Sequence, residues 1–96
     1  MNISHIRFDS HTGLVPAIIQ DADSGRVLML GYMNEEAYMK TQAEKRVTFF
    51  SRSKNRLWTK GETSENYLDV VDVAIDCDQD TLLIQANPAG DRKSVV

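Results

Sequence analysis

The stretch that decides the fold is "LVPAIIQDADSGRVLMLGYMNEEA", residues 14–37. "LVPAIIQ" (14–20) is apolar and β-branched, "DADSG" (21–25) is turn-forming, and "RVLMLGYM" (26–33) is apolar again. That order predicts a hairpin of two largely buried strands. Asn34 follows as an N-cap, with Glu35 and Glu36 in the first turn, where carboxylates suit the helix dipole. Met33 and Tyr38 are placed to form a hydrophobic staple across the cap. The helix should run to about Lys45, its end marked by the bases Lys45 and Arg46.

Downstream, "RVTFFSRS" (46–53) alternates as a strand, "KN" (54–55) turns, and "RLWTKG" (56–61) reads as a second strand. "VVDVAI" (70–75) alternates again, with Val71, Val73 and Ile75 expected on one face. "TLLIQA" (81–86) is the next strand, which makes "DCDQD" the connection between two strands. Strands and helix do not alternate regularly. The expected class is therefore α+β, a small, mostly antiparallel β domain with one main helix.

At 96 residues and 42% hydrophobic, the chain fits one domain with a small core, which oligomerisation would naturally supplement. No apolar run is long enough for a membrane span, and "MNISHIRFDS" has no signal-peptide core, so a cytoplasmic protein without membrane partners is expected. A single cysteine excludes an intrachain disulfide framework. The net charge of −3 argues against nucleic-acid binding, but it hides an asymmetry. Arg46, Arg52, Lys54, Arg56 and Lys60 fall in a segment with no acid. Glu62, Glu65, Asp69, Asp72, Asp76, Asp78 and Asp80 follow with no base. The first segment suits anions, the second cations; two solvated faces would look the same.

In "DCDQD", Asp76, Asp78 and Asp80 alternate and can aim carboxylates at one hard cation such as Mg²⁺. An EF-hand is excluded, because Thr81 and Asn87 stand where its glycine and glutamate belong. A turn stabilised by Asp side chains is the plain structural alternative. Cys77 sits among like charges that disfavour a free thiolate, a setting that makes sense beside a cation such as Zn²⁺. His5 and His11, the only histidines, are both N-terminal. In "SRSKNRLWTKGETS" (51–64), Arg52, Ser53 and Lys54 offer the donors a phosphate wants, and Trp58 offers a flat surface for a base or a place in the core. Lys60, Glu62, Thr63 and Ser64 form a polar loop in which Gly61 admits close backbone approach. Glu62 could hold a sugar hydroxyl, a metal or a proton.

Taken together, "LVPAIIQD", "VLMLGYMNEEA", "FFSRSKNRLWTKGETS" and "DCDQDTLLI" closely resemble the phosphoribosyl-AMP cyclohydrolase family of histidine biosynthesis, over about residues 9–90. The resemblance implies hydrolytic opening of a purine ring between N1 and C6, in a cytoplasmic, intertwined homodimer using Zn²⁺ and Mg²⁺. It implies Asp76, Asp78 and Asp80 as magnesium ligands and Cys77 as a zinc ligand, the other two zinc cysteines coming from the partner's C-terminal segment. Arg52, Ser53, Lys54, Trp58, Lys60, Glu62, Thr63 and Ser64 become the expected substrate-binding residues for a small nucleotide with two phosphates. The catalytic water would be held on zinc through Cys77.

The chain departs from the family after "NPAG", reading "DRKSVV" with no cysteine after Cys77 and no histidine after His11. The expectation is a segment truncated or altered after residue 90, with one cysteine per zinc site where the family has three. Phe50 stands where Trp is common, and Glu65 where Gly is usual. Two other readings fit the residues: a non-catalytic, dimeric nucleotide-phosphate-binding relative or inactive fragment, and a magnesium-only phosphohydrolase built on the Asp cluster.

Overall fold

A computed structural model describes residues 6–88. The elements run β1 (Val15–Asp21), β2 (Val27–Met33), α1 (Glu35–Glu44), β3 (Thr48–Ser51), β4 (Arg56–Thr59), β5 (Leu68–Ile75) and β6 (Leu82–Pro88). β2, β1, β6 and β5 form a four-stranded sheet in that order, and β3–β4 form a separate hairpin. The α+β expectation holds, with one helix and mostly antiparallel pairing. The exception is central: β1 and β6 pair in parallel, from Ala17–Leu82 to Asp21–Ala86.

Alternation in β1 buries Val15, Ala17 and Ile19 completely. Their cross-strand neighbours Met33, Leu82 and Ile84 are buried with them, so the core lies on one face of the sheet. Pro16 is tolerated in this central strand because the ladder to β6 begins only at Ala17.

The helix begins as expected: the Asn34 side chain accepts the Ala37 N–H at 2.8 Å. Met33 and Tyr38 both enter the core. The C-terminal end differs. Lys45 turns left-handed (φ 60°) as the cap, its N–H bonded to the Thr41 carbonyl. Arg46 does not serve the helix dipole; it bridges to Asp69 and lies 4.0 Å over the Tyr67 ring. Buried Thr41 joins helix to hairpin. Its hydroxyl donates to the Ala37 carbonyl at 2.8 Å and accepts the Thr48 N–H at 3.0 Å.

Three strand expectations need correction. β2 is not largely buried: Val27, Leu28, Leu30 and Tyr32 are exposed on the sheet's outer face, because no second layer among the described residues covers that side. Val71 does not share a face with Val73 and Ile75. The β5 register shifts between Val70 and Asp72, so Val71 is the extra residue of a bulge and is 54% exposed, while Val70 packs on the core. The two strands of the hairpin are shorter than expected, since Arg52–Asn55 all belong to the turn and Lys60 lies beyond β4.

The hairpin leans on the sheet through Phe49, whose ring lies against Gly31 of β2. A β-carbon at Gly31 would sit 2.6 Å from two Phe49 ring carbons, so only glycine admits this approach. Phe49 in turn stacks on Trp58, with centroids 5.8 Å apart.

Candidate functional site

The connection between β5 and β6 is organised by Asp76. Its Oδ1 accepts the N–H of Asp80 at 3.0 Å and of Thr81 at 3.1 Å. The Asp76 carbonyl accepts the Gln79 N–H, and Gln79 takes a positive φ of 63°. This tight loop brings carboxylate oxygens of Asp76, Asp78 and Asp80 within 4.8 Å of one another, all three residues exposed. The turn-forming reading holds, and it leaves room for the metal-binding one, because Asp76 Oδ1 makes the turn bonds and its second carboxylate oxygen is not used in them.

The charges respond to this crowding. Desolvation is the largest influence on Asp76 and pushes its pKa up, but the N–H bonds from Asp80, Thr81 and Gln79 and the Asp80 side chain outweigh it, and the net direction is down. Asp80 moves up, first through its hydrogen bond with the Asp76 carboxylate, then through desolvation and the charges of Asp76 and Asp78. Like charges held this closely separate into a stronger and a weaker acid. A dication among them would relieve the repulsion, and three convergent carboxylates suit the hard, oxygen-seeking Mg²⁺.

Zinc is a different matter. Cys77 is exposed and is not a member of the converging group. His11 lies in the N-terminal loop, its backbone N–H bonded to Asp9, and His5 lies outside the described residues. Among the described residues Cys77 is the only cysteine, and standing outside the converging carboxylates it does not by itself make a zinc site.

The expected substrate-binding residues divide into groups. Lys54, Trp58 and Thr63 line a cavity of about 270 Å³ together with Ser51 and Arg56. The Ser51 hydroxyl shapes it by accepting the Lys54 N–H at 3.3 Å. Arg52 lies elsewhere, in a cavity of about 220 Å³ with Asp9, Thr12, Leu14, Pro16 and Tyr32. Ser53 is exposed, 3.4 Å from Ser51 through the hydroxyls. Ser64 accepts the Asn66 N–H at 3.3 Å, and Lys60 donates its backbone N–H to Val47.

Glu62 is engaged by the chain itself. Its Oε1 accepts the Thr59 N–H at 2.7 Å and its Oε2 meets Arg56 Nη1 at 3.3 Å. The Thr59 N–H is the main reason its pKa is lowered, with the Arg56 charge adding to it. A carboxylate so held is an acceptor at neutral pH. Gly61 also has an internal role: at φ 97°, a β-carbon would lie 2.6 Å from the Asn66–Tyr67 backbone. The close approach it admits is therefore the chain's own returning backbone. Glu65 completes the loop at φ 66°, a left-handed position that glycine occupies without strain.

Sequence reasoning missed Arg7, Asp9, Tyr32 and Arg56. Arg7 and Asp9 join Asp78 and Asp80 around a cavity of about 530 Å³. Arg56 had been counted among the basic residues, and its place beside Lys54 was readable from the hairpin register. Nothing in the sequence pointed to Tyr32, whose position depends on which face of β2 stays open.

A family model described as phosphoribosyl-AMP cyclohydrolase matches residues 29–93, which include both the hairpin and the acidic loop. The chain belongs to the phosphoribosyl-AMP cyclohydrolase family. It is 68% identical over 83 residues to the histidine biosynthesis bifunctional protein HisIE of Bacteroides thetaiotaomicron, covering 86% of this chain and 41% of that protein. The protein of the same name from Pasteurella multocida is 63% identical over 86 residues (90% and 43%). That from Escherichia coli is 67% identical over 78 residues (81% and 38%). The chain thus spans about two fifths of the length of these relatives. The cyclohydrolases are enzymes.

Proposed function

We propose that this chain performs the cyclohydrolase reaction of histidine biosynthesis, hydrolysing the N1–C6 bond of the purine ring of phosphoribosyl-AMP. The observation that carries the reading is the convergence of Asp76, Asp78 and Asp80 on one loop, within a family match that also includes the basic hairpin. Mg²⁺ at these carboxylates would neutralise substrate phosphate and fix its position. Lys54, Arg56 and Thr63 supply donors for an anion, and Trp58 lines the same cavity with an aromatic surface. Zinc, when bound, supplies a water acidic enough to ionise near neutral pH. Cys77 is the residue this chain would contribute to such a centre.

A homodimer fits the same reading. The sheet face carrying Ile18, Leu28, Leu30 and Leu83 has no covering layer among the described residues, and an apolar face of this kind suits a second copy. No helix among the described residues is long and apolar enough to cross a membrane. A cytoplasmic enzyme is the setting that fits the proposed pathway.

The test is turnover. Purified chain is mixed with phosphoribosyl-AMP and Mg²⁺, with and without added Zn²⁺, and ring opening is followed by absorbance. Metal-dependent opening that is lost in Asp78→Asn supports the reading. Saturable substrate binding without turnover under any metal condition would instead establish the second reading, a nucleotide-phosphate-binding relative, which the single described thiolate favours.

A further inference from the structure

The turn of the hairpin sends its cations to two different sides. Lys54 lines the cavity shared with Arg56, Trp58 and Thr63, whereas Arg52 lines the one shared with Asp9, Thr12, Leu14, Pro16 and Tyr32. The Arg52 cavity has three walls, Asp9, Leu14 and Pro16, in common with the larger cavity that contains Asp78 and Asp80. The two adjoin across residues 9–16, so a groove runs from the acidic corner to Arg52. The Lys54 cavity shares no lining residue with either.

Arg52 has no ion pair among the described residues, although Asp9 is nearby. Asp9 Oδ1 is turned to its own loop, accepting the N–H of His11 at 2.7 Å and of Thr12 at 3.0 Å. What holds Arg52 is an aromatic face. Its guanidinium carbon lies 5.5 Å from the centroid of the Tyr32 ring. Tyr32 pairs with Pro16 across β2 and β1, and both line the Arg52 cavity. A guanidinium stacked on a ring keeps its N–H donors free for an anion, and it loses less freedom when the anion arrives.

We propose that the groove between Arg52 and the acidic corner seats a ribose 5-phosphate group, bound by Arg52, and that Tyr32 is the residue that positions Arg52. The proposal rests on the cyclohydrolase reading, in which the substrate carries two such groups. It divides them: one goes to the Arg52 side, beside Asp78 and Asp80, the other to the Lys54 side. A cation at the acidic corner and the Arg52 guanidinium then grip the same arm of the substrate from its two ends.

The experiment uses the full chain and ribose 5-phosphate as the probe, in the presence of Mg²⁺, with amide chemical shifts as a site-resolved readout. The expected result is saturable shifts at residues 9–16 and at Arg52. They should be lost in Arg52→Gln and retained in Lys54→Gln. Tyr32→Leu should weaken the affinity about two- to five-fold, the span expected for an exposed cation–π contact, and Tyr32→Phe should restore it. With phosphoribosyl-AMP, Tyr32→Leu should raise KM by a similar factor and leave kcat unchanged. No saturable shift at residues 9–16 overturns the proposed seat. Equal affinities for Tyr32→Leu and the unaltered chain overturn the positioning role. If the unaltered chain fails to open phosphoribosyl-AMP while the probe behaves as described, the cyclohydrolase reading falls and the sugar-phosphate seat stands.

Discussion

Replacing Gly31 with alanine tests how the hairpin is held on the sheet. The new β-carbon would lie 2.6 Å from Phe49 Cδ1 and Cε1 and 3.0 Å from Cγ. Carbon atoms rest comfortably at about 3.5–4.0 Å, so the ring must retreat. It has little room: Phe49 is 2% exposed, and its other neighbour is the Trp58 ring. Overpacking a tight site costs about 1–3 kcal/mol. For a chain of this size each kcal/mol lowers Tm by roughly 4–8 °C, so a fall of about 5–20 °C is expected for Gly31→Ala. Thermal unfolding by circular dichroism measures it. Trp58 is the only tryptophan, so its emission reports the displaced stack directly. The double variant Gly31→Ala/Phe49→Leu should recover part of the loss, because the smaller side chain clears the new methyl group. A Tm unchanged within about 2 °C with unaltered Trp58 emission would refute the reasoning, since the ring would then have somewhere else to go.

Other outcomes follow from the same contacts. Thr41→Val leaves the buried Thr48 N–H without its acceptor and should cost about 1–3 kcal/mol in urea unfolding. Glu65→Gly removes a side chain from a position at φ 66°. Relief of about 1–2 kcal/mol of left-handed strain, less roughly 0.5–1 kcal/mol for glycine's extra freedom when unfolded, leaves a small net stabilisation, readable as a higher urea midpoint. The lowered pKa values of Asp9 and Glu62 mean that both stabilise the fold above the ordinary carboxylate range of about 4. That stability is lost as pH falls through their lower folded values, so acid unfolding of Glu62→Gln should show a shallower dependence below about pH 4. Asp80 moves the other way, so Mg²⁺ bound at this corner as proposed should displace a proton from it in mild acid. Calorimetry in two buffers of different ionisation heat should show proton release on Mg²⁺ binding that disappears at neutral pH.

Much of this could be read from residues alone, for local reasons. Asn34 announces the helix by side-chain chemistry within one turn, and the alternation of Val15, Ala17 and Ile19 announces a strand by its period. The acidic loop was legible because its three carboxylates are adjacent in sequence. What stayed hidden depends on distant partners. Val71 looks like a core residue until the β5–β6 register shows the bulge that ejects it. β2 looks buried because its residues are apolar; only the assembled sheet reveals that one face has nothing to cover it. Gly61 was legible as a place of close backbone approach, but not that the approaching backbone is the chain's own, at Asn66 and Tyr67. Arg52 and Lys54 looked like one anion site because they are neighbours in sequence, and the turn places them in different cavities.

The parallel pairing of β1 with β6 also bears on how the chain is made. Gln20 and Gln85, joined side chain to side chain across that pair, are separated by 65 residues. At synthesis rates of roughly 5–20 residues per second, β1 waits about 3–13 s for its neighbour. Until then the β1–β2 hairpin, the helix and the β3–β4 hairpin can form locally, but Leu82, Ile84 and Ala86, all fully buried in the finished core, are missing. During that interval β1 has one edge unpaired and its apolar side uncovered, the condition in which strands join the wrong partner. Among the described strands it is the last one made that completes this core, so slow translation across residues 60–80 should lower the yield of folded chain more than the same delay before residue 14.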